Sequence, residues 1–387
     1  MGLVEATEGA PAPSMEPGSS SGRECVRPMK HPSPKNSIAG RDTEKNSFLR
    51  DTSCATVQGH TMGRPTKRRK ENWNHTTPVV FSPFFVRPPN PKKAFLTLTK
   101  RWVTISRNVL FLGIAVFVFF CLTPDPVATQ KLAPGWVGAI FLRNYLFMIA
   151  IAGGLHLYLF TYHRQGKRLK YDPRQEMEKS RKFSFGDLFW DNVFWSLASG
   201  SSIWSIYEVL YFWGLSNKCI PTLTLVESPL LFLAWLLVLP VLTSSHFYFI
   251  QRFLHWKPLY RTVHRLHHRN IHIGPWAGMS MHPVEHILYL SSVLIHFVIP
   301  SHPIILLVHL YSRSLGPAFS HAGFEKLLLG KSGTVDAADF HHQLHHRYFE
   351  CNYGTVDTPW DMWFGTDHDG SDEATRRMRM RRADKKL

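Results

Sequence analysis

Histidine is the residue whose number and placement could do chemistry in this chain. There are 22 histidines, and 16 of them fall between His246 and His346. They come in groups. Gln251-Arg-Phe-Leu-His255 is followed by His264-Arg-Leu-His267-His268 and by His282-Pro-Val-Glu-His286. A single His321 comes next, then His342-Gln-Leu-His345-His346 with His341 directly before it. On a helix, positions i and i+3 or i+4 share a face. An HxxHH run therefore presents two imidazoles along one stripe and a third beside them. Two such runs plus the single histidines offer more nitrogen donors than one metal ion can use, and imidazole suits iron, zinc, copper and nickel. The pattern predicts a dinuclear metal centre. Its expected ligands are His255, His264, His267, His268, His282, His321, His342, His345 and His346, with His286 a further candidate. Glu285 is expected to orient a liganding ring through the ring's other nitrogen, with Asp339 or Asp361 as alternatives. His246, His272, His296, His302, His309 and His368 read as ordinary capping, surface or core histidines.

Gln251 precedes His255 by four residues, and a neutral amide is a much poorer donor than imidazole. Gln251 and His255 differ by about 40° around a helix and share a face. His246 lies nine residues before His255, about 900° away, and so points to the opposite side. It could substitute only if Pro240 or a local unwinding rotated it.

The elements that must hold these groups are apolar. Lys and Arg total 45 against 28 Asp and Glu, a net charge of +17. That excess suits nucleic acid or an anionic membrane surface, and the distribution decides for the membrane. Only 19% of residues are charged, 13% are aromatic, and the apolar residues gather into blocks between basic loops. No nucleic-acid partner is expected. The five cysteines (25, 54, 121, 219, 351) form no CxxC spacing, which excludes a disulfide or zinc-ribbon framework. Trp102–Leu122, Trp136–Tyr162, Leu188–Leu215 and Ser228–Ile250 read as four membrane-crossing helices. Ile287–Tyr311 is apolar but interrupted by Pro300-Ser-His-Pro303. The 163–182 loop carries eight basic residues, and the 123–135 and 214–227 loops carry one each. The positive-inside rule then puts the N-terminus, that loop and the chain after Ile250 in the cytosol. If histidines on both sides of 287–311 serve one centre, the segment must enter the membrane and turn back.

The chain divides accordingly. Residues 1–90 are expected to be a disordered basic tail, rich in Pro, Gly, Ser and Thr. Residues 100–250 carry the transmembrane helices, 251–370 the histidine region with its hairpin at 287–311, and 371–387 a basic C-terminal tail. The fold class is an all-α integral membrane protein with about four spans, a re-entrant helical hairpin and a cytosolic di-metal domain.

At this level the sequence resembles the membrane-bound fatty acid hydroxylase/sterol desaturase superfamily. HRLHHRN (264–270), MHPVEH (281–286), SHAGFE (320–325) and FHHQLHHRYFECNYG (340–354) look like that family's elements in order, over roughly residues 100–370. The resemblance implies two non-haem iron ions, O2 as co-substrate, and electrons from a cytochrome b5-type donor, with zinc able to displace iron on overexpression. It implies hydroxylation or desaturation of a sterol or fatty acyl lipid in the endoplasmic reticulum membrane, with both termini cytosolic. The first family box carries a histidine where this chain has Gln251, so the resemblance implies one ligand fewer, with water or the Gln251 carbonyl in its place. That leaves open a second expectation, a catalytically impaired paralogue that acts as a metal- or lipid-binding membrane protein.

Overall fold

Ser106 starts the first helix: its side-chain oxygen accepts from the Val109 amide, satisfying one of the donors a helix leaves free at its beginning. The helix, α1, runs Arg107–Cys121. The computed structural model describes residues 73–75, 77–79, 90–93, 95–96, 106–173, 179–330, 333–337 and 339–384, all within one compact unit, 67–387. Long helices follow. α2 is Pro134–Thr161, α3 spans 188–216 with a π-helical stretch at Ser196–Ser201, and α4 is Pro229–Leu254. Pro134 and Pro229 each sit in the first turn, where no amide donor is lost.

Among the described residues two helices, α2 and α4, are long and apolar enough to cross a membrane, against the four expected. Their outward surfaces are apolar too. Leu142, Leu146, Ile149 and Leu157 of α2 are exposed, as are Leu230, Leu233, Leu237 and Val241 of α4, which is the surface a lipid-facing helix needs. α1 has 15 residues, about 22 Å of helix, short of the roughly 30 Å hydrocarbon layer. α3 is full length but holds polar groups that it keeps inside the bundle. The Glu208 carboxylate bonds the Arg143 guanidinium of α2 and accepts from Asn144 Nδ2 at 2.9 Å. Asp191 accepts from the Ser184 amide at 2.8 Å and faces Arg269 at 3.6 Å.

The interrupted apolar segment folds back on itself. α5, Pro283–Leu290, continues as a 3-10 turn through Phe297, and α6 is Pro303–Ser314. Tyr289 Oη donates to the Arg313 carbonyl at 2.9 Å, and Ser292 and His296 both bond His309 at 2.9 Å. The two limbs therefore run antiparallel. Their polar groups satisfy one another, as an apolar surrounding requires.

Three expectations change. The chain is not wholly helical, because Lys326–Leu329 (β1) and Gly333–Asp336 (β2) form an antiparallel two-stranded ribbon. The expected disordered tail, 1–90, lies almost entirely outside the described residues, but 73–75 and 77–79 contribute to the fold. There the Asn74 amide donates to the Tyr171 carbonyl at 3.0 Å, and Trp73 packs edge-on against Phe340. The basic C-terminal stretch is a helix over Asp372–Asp384, anchored by buried Ala374 and Met378.

The Arg143–Glu208 pair is buried, so removing one partner leaves an uncompensated charge, a loss of about 3–5 kcal/mol. Glu208→Ala should lower the unfolding midpoint in detergent sharply. The double change Arg143→Met with Glu208→Leu should recover most of it.

Candidate metal centre

Each histidine group arrives on a different element. His255 is the C-cap of α4. His264 closes a π-helical turn, Tyr260–His264, and His267 and His268 begin a 3-10 turn, so the first HxxHH run is not the regular α-helix expected. His321 follows the short helix Gly316–Ser320. His342, His345 and His346 lie on α7, Phe340–Tyr348.

The rings converge as two sets of four, His255, His264, His268 and His345 in one and His267, His321, His342 and His346 in the other. In the first set, His268 Nε2 is 3.1 Å from both His255 Nε2 and His345 Nε2. In the second, His321 Nε2 is 3.1 Å from those of His346 and His342, which are 3.2 Å from each other. The sets adjoin, with the His268 and His346 ring centres 5.0 Å apart. The HxxHH runs are divided between them. His264 and His268 serve the first set and His267 the second, while His342 and His346 serve the second and His345 the first. On α7, i and i+4 lie about 40° apart and i+3 about 100° from i+4, so one run can reach two centres.

What lies behind the rings fixes their chemistry. His345 Nδ1 donates to the Cys351 carbonyl at 2.6 Å, His346 Nδ1 to that of Asn270 at 3.0 Å, and His321 Nδ1 to that of Pro317 at 3.0 Å. His267 Nδ1 donates to the Ser280 carbonyl at 3.3 Å, and His264 Nδ1 meets Glu285 Oε1 at 2.8 Å. A carbonyl can only accept, so the proton sits on Nδ1 and Nε2 carries a bare lone pair. Burial lowers the pKa of His264 and His345 to about 3 and of His267 to about 4, and it lowers His268, His321, His342 and His346 as well. The rings are neutral at pH 7. Neutral rings whose lone pairs face each other at 3.1 Å repel unless a cation lies among them. Two nitrogens bound at about 2.0–2.1 Å to one ion, about 90–109° apart, are themselves about 2.9–3.4 Å apart. The observed separations fall in that range, and the donor sets fit one metal ion each.

The remaining candidates have other places. Gln251 Nε2 lies 2.8 Å from His345 Nε2 and 3.3 Å from His264 Nε2, so the amide enters the first set where a fifth ligand would stand. His246 points away and bonds Ser291 Oγ at 3.0 Å. His282 and His286, both expected as ligands, join neither set. His282 caps α5, its Nδ1 accepting from the Val284 amide at 3.2 Å, because Pro283 starts the helix there. His286 bonds Ser199 of α3 at 2.7 Å, since it sits about 100° around α5 from Glu285. Asp339 orients no ring. It caps α7, accepting from the His341 amide at 3.0 Å. Asp361 accepts from the Tyr353 and Gly354 amides instead. The carbonyls that set the tautomers are invisible in a sequence, since every residue has one.

A cavity of about 820 Å³ reaches the second set, its walls including Leu239, Phe247, His267, His321, His342 and Arg313. Its size is that of a small-molecule site.

Residues 236–366 match the fatty acid hydroxylase family. Over 127 residues the chain is 31% identical to the Delta(7)-sterol 5(6)-desaturase of Saccharomyces cerevisiae, covering 32% of this chain and 33% of that protein. It is 27% identical over 150 residues to a methylsterol monooxygenase of Aspergillus fumigatus, covering 34% and 46%. It is 29% identical over 130 residues to methylsterol monooxygenase 1 of Gallus gallus, covering 33% and 44%. The chain thus spans about a third of the length of the sterol desaturase it matches and under half of the two monooxygenases. No solved structure matches it significantly. The histidine-bearing segment is thus similar to the fatty acid hydroxylase family, and to sterol desaturases and methylsterol monooxygenases.

Folded protein should hold about two equivalents of transition metal by elemental analysis, and His321→Ala should reduce that to about one. A subtler change tests the frame. A Cβ on Gly278 would lie 2.3 Å from the Pro317 carbonyl oxygen, the acceptor that holds His321. Gly278→Ala should therefore lower occupancy of the second set without touching a ligand.

Proposed function

We propose that this protein is an O2-dependent, iron-containing lipid oxidase of a membrane, hydroxylating or desaturating a sterol or fatty acyl lipid. The observation that carries it is the pair of adjoining four-histidine sets at a cavity beside membrane-length apolar helices. His255, His264, His268 and His345 would hold one iron, and His267, His321, His342 and His346 the other. The bound ions would supply the redox chemistry with O2 that attack on an unactivated C–H bond demands, and a cytochrome b5-type protein would supply electrons. The chain's own part is positional. The Cys351, Asn270, Pro317 and Ser280 carbonyls and Glu285 keep five rings in one tautomer and orientation, as groups behind metal ligands do. Apolar residues such as Leu239, Phe247 and Val308 line the cavity, holding a lipid against the rings and keeping water out.

The setting follows the same reading. The apolar hairpin, 283–314, dips into the membrane and returns, so the ligands on both sides of it and both termini face the cytosol, in the endoplasmic reticulum membrane. Cysteine-accessibility mapping in sealed vesicles should label positions in 256–282 and 366–384 from the same side; opposite labelling rejects this topology. Iron-loaded protein in nanodiscs, given a reduced b5-type donor and a panel of sterols and acyl lipids, should consume O2 and yield a product with one oxygen gained or two hydrogens lost.

Gln251 favours a second reading, an impaired paralogue that binds metal or lipid without turnover, because its amide occupies the space of an imidazole. Replacing it discriminates. Gln251→His should raise turnover several-fold and slow iron loss to a chelator under the leading reading, as an added imidazole would share a face with His255. Under the second, neither protein forms product. Zinc on overexpression would mask the difference, so iron must be quantified alongside.

A further inference from the structure

Arg313 ends α6 with its guanidinium in the cavity wall. It stands out among the charged groups of the interior. Arg143 has Glu208 and Asp191 has Arg269, but Arg313 Nε and Nη2 are buried with no hydrogen-bond partner. Its contacts are aromatic faces: Cζ lies 4.0 Å from the Tyr289 ring centre and 5.2 Å from that of Phe247. Rings of this kind attract a cation but accept no hydrogen bond in the guanidinium plane. Five acids also line the cavity, and three of them have partners away from Arg313: Glu285 Oε1 meets His264, Glu325 meets His75 and Asp339 accepts from the α7 backbone. A buried guanidinium with unmet donors is costly, and a planar fork of N–H groups matches an oxyanion in two-point contact.

Its position adds the second half of the argument. The Phe247 ring that Arg313 touches is 5.8 Å from the ring of His342, a member of the second set. An oxyanion held at Arg313 would stand about one aromatic ring from the metal-binding face. The rest of a lipid would lie along Leu239, Val308 and Phe111.

Resting on the oxidase reading for what happens next, we propose that Arg313 is the anchor of the lipid-binding cavity and that the lipid taken there carries an anionic oxygen group. A carboxylate and a sulfate or phosphate ester share that chemistry. Tyr289 and Phe247 flank the guanidinium, and a bound oxyanion would supply the acceptors that these rings do not.

The test is a binding measurement, which needs no turnover. Metal-loaded protein in nanodiscs is titrated with oleate against oleyl alcohol, and with cholesterol sulfate against cholesterol. The anionic member of at least one pair should bind ten-fold or more tightly, and the pair that discriminates tells an acyl carboxylate from a sterol ester. Arg313→Gln should abolish the preference while neutral-lipid affinity and metal content hold. Arg313→Lys, which keeps the charge without the fork, should retain part of it and serves if the glutamine variant fails to fold. Equal affinity within both pairs for the wild type, or a preference that survives Arg313→Gln, overturns the proposal. A preserved preference for anions in protein that shows no O2-dependent product would sink the oxidase reading and leave the anchor standing.

Discussion

A carbonyl oxygen cannot donate a hydrogen bond, and the arrangement of the two histidine sets depends on that fact. Four backbone carbonyls and one carboxylate take the Nδ1 protons of five rings. Each ring then presents a lone pair at Nε2 and nothing else. His321 and His346, both held this way with their Nε2 atoms 3.1 Å apart, cannot satisfy one another. The fold holds the rings together all the same, because α4, the 260–269 turns, α7 and the His321 loop are each fixed by contacts of their own. Metal affinity is in this sense built in by the surrounding chain, which carries the cost of crowded lone pairs until an ion relieves it.

Much of this was legible in the sequence, and the reason is periodicity. HxxHH at helical spacing announces shared faces, and eight of the ten histidines expected as ligands meet in the two sets. His282 and His286 did not, because a Pro at 283 made one a cap and the turn of α5 aimed the other at Ser199. The same rule that ties Gln251 to the face of His255 and turns His246 away describes the structure well, since α4 is regular there. Asp339 was misread because a residue just before a helix and a residue behind a ligand look alike in one dimension.

The apolar part was less legible. Hydropathy marks segments that are greasy, and it cannot say which of them are covered by neighbours. α3 is as long as a span, yet it spends its polar residues on Arg143, Asn144 and Asn270, contacts between positions far apart in sequence. Arg143 of α2 and Glu208 of α3 are one interaction, not two isolated charges within apolar helices. The turn at Pro300–Pro303 was readable because proline interrupts the helical hydrogen-bond ladder. The His296–His309 bond that ties its limbs was not, since both residues passed as ordinary.

The exchange of histidines between the two HxxHH runs has a consequence for how the protein is made. Each set needs a ring from both runs, so the first cannot be complete until residue 345, and the second until residue 346, has left the ribosome. By then α1 to α4 and their ion pair have long been synthesised. The membrane part can be assembled while the histidines are still apart, and metal can only arrive at the end. A shortage of metal would accordingly strand a protein already inserted and packed, and a product cut short before α7 would keep its membrane helices but could never be charged with either ion.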